Sequence, residues 1–416
     1  MAGFLPAQRQ LRWQELEFGM FCHFGVNTFT GREWGDGTED PAIFVPGRLD
    51  CGQWARAARR AGMRYAVLTA KHHDGFCLWP TETTRHSVRS SPWRDGRGDV
   101  VAEFVAACRA EGLVPGLYCS PWDRNAPCYP DPAAYSAFYA RQLEELLGGY
   151  GPLGEVWFDG AGSQGYVYDW AQIMAVVRRL QPEAVVFNMG DPDVRWGCNE
   201  AGYGDPDLWT VVDAERWETV EHGAAGLGRP GVYLPAEMDT TINRAGWFWH
   251  AEAQGGIKSL DELLGIYYRS VGHGANLLLN LAPNRDGLLE EAEVARAVAL
   301  GAEVDRRFGR APLGEAGPGL GALEIALPAP ALVQRFEAME DLRGGESVLE
   351  WVLEAQVGHR PGGAPAWHRL AAGRALGHRR LGDIAPIRAQ RFRLWATRSR
   401  GGPGRLRGLR LFGRAD

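Results

Sequence analysis

Through its first three quarters the chain alternates short apolar runs with segments of helical spacing. Phe18-Gly19-Met20-Phe21-Cys22-His23-Phe24-Gly25 reads as a first strand, Tyr65-Ala66-Val67-Leu68-Thr69-Ala70 as a second and Val114-Pro115-Gly116-Leu117-Tyr118-Cys119-Ser120 as a third. Gly154 to Asp159 and Ala184 to Asn188 give a fourth and a fifth, and Asn276 to Leu281 a late one. Between them residues 50–61, 99–111, 132–148, 167–180, 259–271 and 288–308 carry helical periodicity, with Gly62 and Gly112 as stop signals. Continuous apolar strands separated by helices predict a parallel sheet. About six such units predict an α/β fold of the (β/α)8-like, irregular TIM-barrel kind. A doubly wound open sheet is the other arrangement, but no G-x-G-x-x-G follows the first strand, which removes its usual dinucleotide-binding form. The stretch 205–257 is irregular and rich in Trp and Gly.

Near residue 312 the texture changes. Gly and Pro punctuate 311–330, and then runs such as Ile387-Arg388-Ala389-Gln390-Arg391-Phe392-Arg393-Leu394-Trp395 and Arg405-Leu406-Arg407-Gly408-Leu409-Arg410-Leu411-Phe412 alternate with period two. That pattern predicts half-buried antiparallel strands, hence a C-terminal antiparallel β-sandwich over 313–416 after a catalytic barrel over 1–312.

Composition changes this picture little. A chain of 416 residues suits a barrel plus an accessory module, and 45% hydrophobic with 23% charged residues is ordinary for a globular protein. The net charge of −6 gives no bulk attraction to nucleic acid. From Pro312 onward 16 Arg face 10 acidic residues, and the alternation makes this Arg row the solvated face of the predicted sheet rather than a polyanion site. Two Lys, Lys71 and Lys258, against 43 Arg reads as codon bias in a GC-rich, bacterial genome. The seven Cys are irregularly spaced without C-x-x-C, which argues against a zinc site or disulfide framework and for reduced thiols in the cytoplasm. Neither a secretory signal nor an apolar run of membrane-spanning length is visible, so no membrane partner is expected. The 16 Trp offer flat apolar platforms of the sort that sugar sites use, and core filling uses them equally.

The predicted strand ends deliver polar groups: His23 from the first, His72, His73 and Asp74 from the second, Tyr118 from the third, Trp157 and Asp159 from the fourth, and Asn188 from the fifth, with Arg195, Asn199 and Glu200 soon after. In a barrel of this kind these ends converge on one rim, where the chemistry sits. Asp is a poor strand residue, so Asp159 after Val-Trp-Phe is either half of an Asp-Gly turn or a functional group. Two reactions fit. Paired carboxylates, Asp159 and Glu200, could hydrolyse a glycoside. Alternatively His23, His72, His73 and Asp159 could bind a metal for hydrolysis. Adjacent His72 and His73 on a strand would point to opposite faces, which weakens the second reading. The sugar reading also uses the Trp residues and Tyr118.

Taken together the motifs resemble glycoside hydrolase family 29, the retaining α-L-fucosidases. They are Phe21-Cys22-His23-Phe24-Gly25, Glu33-Trp34-Gly35, Lys71-His72-His73-Asp74-Gly75-Phe76, Gly116-Leu117-Tyr118-Cys119-Ser120 and Trp157-Phe158-Asp159-Gly160. The order continues through Pro235-Ala236-Glu237, Gly246-Trp247-Phe248-Trp249 and Asn276-Leu277-Leu278-Leu279-Asn280, so that residues 12–310 are covered. The resemblance implies Asp159 as nucleophile, and His23, His72 and His73 as ligands of fucose hydroxyls. It implies Tyr118 and Trp157 as lining groups, Trp34 near the hydroxyls and Trp249 beside the fucose methyl. Arg195-Trp196-Gly197-Cys198-Asn199-Glu200-Ala201-Gly202 is similar to the acid/base segment of the branch preferring α-1,3/1,4-linked fucose. That implies Glu200 as acid/base, with Arg195 setting its charge and position and Glu237 as the competing carboxylate. The loop Gly160–Tyr166 is shorter than that branch leads one to expect. The implied partner is a fucosylated oligosaccharide or glycoconjugate, with no cofactor and no metal. A catalytically silent fucose-binding protein on the same scaffold is the alternative.

Overall fold

The structure is a computed structural model that describes residues 5–197, 199–212, 231–252, 256–359 and 363–414. Part of the irregular Trp- and Gly-rich stretch and Cys198 lie outside the described residues. Helix α1 (Gln8–Gln14) precedes strand β1 (Phe18–Cys22), and a short α2 (Val26–Thr30) follows it. Then come α3 (Cys51–Arg60), β2 (Tyr65–Lys71), α4 (Val100–Ala110), β3 (Val114–Cys119), α5 (Pro132–Gly149), β4 (Glu155–Trp157), α6 (Trp170–Leu180) and β5 (Val185–Phe187). Asp50, Asp99, Asp131 and Asp169 each accept a backbone N–H at the start of the helix they precede, an N-cap worth about 1 kcal/mol. These carboxylates fix where the chain leaves each loop and turns back along the sheet.

After β5 the pattern becomes irregular: β6 (Arg195–Trp196), a β7–β8 hairpin (Val211–Val212, Val232–Tyr233), β9 (Ala236–Thr241), α7 (Leu260–Arg269), β10 (Asn276–Asn280) and α8 (Glu291–Val304). The eight barrel strands pair in the order β5-β4-β3-β2-β1-β10-β9-β6, and their pairings are parallel. A parallel bridge between Phe187 and Val194 brings the ends together, so the barrel is nearly closed. The expected strands and helices appear, with shifts of a few residues at their ends. Two barrel strands escape apolar periodicity: β6, which is only two residues long, and β9, whose sequence Ala-Glu-Met-Asp-Thr-Thr turns its acidic residues toward the barrel interior.

Side chains two residues apart on a strand share a face, and this builds the interior in layers. One buried aromatic cluster inside the barrel joins Trp13, Phe21, Tyr65, Tyr118, Trp157 and Phe187. A second, larger cluster fills the space between the sheet and the helices. In the lower layer β4 supplies Glu155 and β9 supplies Glu237, and the Trp13 indole of α1 donates to Glu155 from below at 3.1 Å. One layer up the same strands supply Trp157 and Asp239. The cavity opens above that layer, where Asp159 follows β4.

The C-terminal strands are β11 (Gly314–Ala316), β12 (Gly319–Leu320), β13 (Ala322–Glu340), β14 (Val348–His359), β15 (Pro365–Arg374), β16 (Arg380–Ser399) and β17 (Arg405–Phe412). They form one antiparallel sheet in the order β11-β17-β13-β16-β14-β15, with β12 also on β17. Register breaks bend β13 and β16, and the sheet encloses its own core around Phe336, Trp351, Phe392 and Leu394. The Arg row pairs across strands: Arg391 with Glu324, Arg393 with Glu354 and Arg410 with Glu337. Glu346 reaches back to accept the Thr210 and Val211 N–H groups at 3.0 and 3.3 Å.

Candidate active site

A cavity open to solvent lies over the upper interior layer. His23, Trp34, His72, His73, Tyr118, Trp157, Asp159 and Glu200 line it. Eight of the ten residues singled out by resemblance therefore meet in one place, although they come from six separate segments of chain. Phe21, Phe187 and Trp247 add aromatic surface, and Asn188, Asp239 and Trp196 add polar edges.

Asp159 sits one residue past the Trp157-Phe158 strand end, where the chain turns. Its Oδ2 accepts from the Tyr118 hydroxyl at 3.0 Å and lies 3.6 Å from His73 Nε2, and its Oδ1 accepts from the Ala161 N–H at 2.9 Å. Its carboxylate remains partly open to the cavity. Trp157 forms the floor: its ring stacks on Phe187 at 3.9 Å and on Tyr118 at 5.3 Å, and its indole donates to Glu237.

The three histidines form a wall that adjoins Asp159. The His72 and His73 rings lie 4.1 Å apart, and both face the cavity. The expectation that they point to opposite faces fails because β2 ends at Lys71, and strand alternation ends with it. His72 stacks on Tyr118 at 5.6 Å. His73 Nδ1 meets Ser120 Oγ at 2.7 Å. Asn280 Oδ1 accepts from the His23 backbone N–H at 3.3 Å and faces His23 Nδ1 at 2.9 Å, which favours the Nδ1–H tautomer and leaves Nε2 as an acceptor. Burial lowers all three pKa values, to about 3 for His23, to about 4 for His73 and well below the ordinary value for His72. The wall is thus uncharged near neutral pH, a surface for hydroxyls rather than for anions. Ligand atoms of His72, His73 and Asp159 come within 4.8 Å of one another, a spacing that could also hold a cation.

Glu200 stands at the rim, exposed on its outer side. The cavity wall on its inner side desolvates it and raises its pKa; the Trp247 indole bond opposes the rise, and the charges of Asp159 and Glu33 add to it. The loop bearing Trp247 is stapled by Glu33, which accepts from Trp247 N at 2.8 Å, Phe248 N at 3.2 Å and His250 Nε2 at 2.7 Å.

Two expected residues lie elsewhere. Trp249 lines a neighbouring pocket and donates to Glu290 at 3.0 Å, while Trp247, two residues earlier, presents its ring beside His23 at 4.9 Å. Arg195 turns away from the cavity and donates to the Trp209 carbonyl at 3.0 Å. Glu237 is fully buried below the floor, held by Tyr65 Oη at 2.5 Å and Trp157 Nε1 at 2.9 Å. Asp239, which no sequence signal selected, lines the cavity and accepts from the Trp196 indole at 2.7 Å. Its place two residues after Glu237 on an inward-facing strand is the signal that would have found it.

Comparison with known proteins bears on what such a cavity takes. The sequence pattern of the family described as Alpha-L-fucosidase matches residues 5–306. Alpha-L-fucosidase 1 of Arabidopsis thaliana is 45% identical over 300 residues, 70% of this chain and 58% of the plant protein. The crystal structure of a glycoside hydrolase 29 family member from an unknown rumen bacterium superposes with a TM-score of 0.88 at 35% identity, covering 99% of this chain and 77% of that one. A Ruminococcus gnavus GH29 fucosidase in complex with fucose superposes with a TM-score of 0.85 at 26% identity, covering 99% and 95%. The family pattern runs through every strand of the barrel and every residue of the cavity wall, and the chain belongs to the alpha-L-fucosidases of glycoside hydrolase family 29.

Proposed function

We propose that the protein is an exo-α-L-fucosidase acting by retaining double displacement, with Asp159 as nucleophile and Glu200 as acid/base. The observation that carries this is the contrast between two carboxyl groups lining one cavity. Asp159 accepts hydrogen bonds from Tyr118 and Ala161 that fix its carboxyl group at the strand end, whereas desolvation and the Asp159 charge help Glu200 keep its proton. In the first step Asp159 Oδ attacks the anomeric carbon, the glycosidic C–O bond breaks and Glu200 gives its proton to the departing oxygen. In the second step Glu200 takes a proton from water, the water oxygen bonds to the anomeric carbon and the bond to Asp159 breaks. The neutral histidine wall offers donors and acceptors to ring hydroxyls, and Trp247 beside His23 offers an apolar face for a methyl group.

The similarity of the Arg195–Gly202 segment to one branch of the family supports α-1,3/1,4 linkages as the preferred substrates. Release of fucose from α-1,2, α-1,3, α-1,4 and α-1,6 oligosaccharides tests this, and activity on the α-1,2 linkage alone would overturn it. Proton NMR of the first-formed fucose tests retention. In a ligand-bound enzyme the two carboxyl groups should lie roughly 5–5.5 Å apart. The spacing of His72, His73 and Asp159 favours one second reading, metal-assisted hydrolysis. Loss of activity on chelation, restored by a divalent ion, would favour it; activity unchanged by EDTA removes it.

A further inference from the structure

Two cavity-lining residues, His72 and Asn188, keep a buried side-chain polar atom without a partner, and Asn188 is the one that does not belong to the histidine wall. It follows β5 directly, lines the cavity and is 6% exposed. Its backbone N–H donates to the Val194 carbonyl at 2.9 Å, but its side-chain Oδ1 is buried with no hydrogen-bond partner. A buried amide oxygen left unpaired costs free energy, so native proteins rarely keep one without a use. Its backbone adds a second anomaly, since φ is +68° and an L-residue pays for that region. Asn tolerates it better than most residues, and Gly better still. A turn alone would be served by Gly. The chain instead places there a side chain that brings a polar group into the cavity.

We infer that the Asn188 side-chain amide is a specificity-determining contact to a hydroxyl of the bound sugar. The inference rests on the fucosidase reading of the cavity. Two sources could supply the hydroxyl: the fucose ring, or the sugar to which fucose is attached. Asn188 neighbours the Trp157–Phe187 floor through Phe187 and the Glu200 segment through Val194, so it sits where either could reach it.

The test exploits the backbone. Asn188→Gly keeps the left-handed turn and removes only the amide, and Asn188→Asp keeps the size and the conformation while changing the hydrogen-bonding groups. Wild type and both variants are assayed on an aryl α-L-fucoside and on a fucosylated disaccharide, with fucose product inhibition and thermal melting measured alongside. With melting unchanged, kcat/KM for Asn188→Gly should fall about five- to tenfold, carried by KM, as loss of one neutral hydrogen bond predicts. A fall on both substrates with weaker fucose inhibition assigns the contact to a fucose hydroxyl. A fall on the disaccharide alone assigns it to the leaving sugar. Kinetics within twofold of wild type on both substrates for Asn188→Gly would overturn the inference, and so would a fall in kcat alone at unchanged KM and inhibition. If wild type hydrolyses neither substrate, it is the fucosidase reading that fails.

Discussion

The indole N–H of Trp157 donates to the Glu237 carboxyl group at 2.9 Å, so the most deeply buried acid near the site braces the cavity floor from beneath. Tyr65 holds the other oxygen of Glu237, and Glu155 lies against the same carboxyl group. Burial raises the pKa of both acids, so the pair retains a proton. Glu237→Gln should therefore keep measurable turnover, with a raised KM from a loosened Trp157, and azide should not rescue it. Glu200→Ala should behave in the opposite way, losing activity on poor leaving groups and regaining it with azide on an activated aryl fucoside. Steady-state kinetics of both variants with and without azide check this. Rescue of the Glu237 variant instead would move the acid/base role.

The Tyr118 hydroxyl bonds Asp159 at 3.0 Å and its ring stacks on both Trp157 and His72. Tyr118→Phe removes the bond and keeps the stack. A hydrogen bond to a charged group is worth about 2 kcal/mol, so kcat should fall roughly 30-fold. Asp159→Ala should abolish turnover on an aryl α-L-fucoside while thermal melting changes little, since Asp159 is part of no apolar core. Normal activity of Asp159→Ala would remove it as nucleophile.

How far the sequence reaches depends on which signal each residue leaves. Strands with continuous apolar runs, such as Tyr65–Lys71, announce themselves because both faces are buried, and the residues at their ends follow. Strand β9 leaves no such signal, because its inner face carries Glu237 and Asp239, acids paired inside the barrel with Trp157 and Trp196. Period-based reading treats buried charge as loop. Trp249 was expected beside the sugar because it stands in a recognisable motif, but which of Trp247 and Trp249 faces inward depends on the Glu33 staple, a contact 214 residues distant in sequence. Arg195 lies close to Glu200 in sequence, yet its guanidinium goes to the Trp209 carbonyl.

Activity should depend on pH through Glu200. Its pKa is raised, with desolvation as the largest cause, so the protonated acid persists above the usual carboxyl range and is lost on the basic side. The alkaline limb of kcat/KM should therefore report Glu200. Glu200→Gln should abolish that limb on an activated substrate, where acid catalysis matters least. Removing Glu33, whose charge also raises the Glu200 pKa, should shift the limb to lower pH. A limb that stays in place in both variants would show that another group sets it.

Stability should respond to pH through the histidine wall, in a direction fixed by the sign of the shifts. Burial lowers His23 to about 3 and His73 to about 4, from 6.5 in an unfolded chain. Between those values and 6.5 the unfolded chain binds protons that the folded chain does not. Stability is therefore fully present above pH 6.5 and is lost as pH falls toward 3–4. Asp74 acts with the opposite sign: burial raises it to about 7, from 3.8, so its contribution is present below pH 3.8 and fades as pH rises through 7. The acid-side loss for one such histidine amounts to about 2 kcal/mol between pH 6.5 and pH 5. His73→Asn cannot titrate, so chemical denaturation at pH 7 and pH 5 should show a smaller loss for it than for wild type. Equal losses would mean that His73 is protonated in the folded cavity, and the uncharged wall that faces the sugar would have to be redrawn.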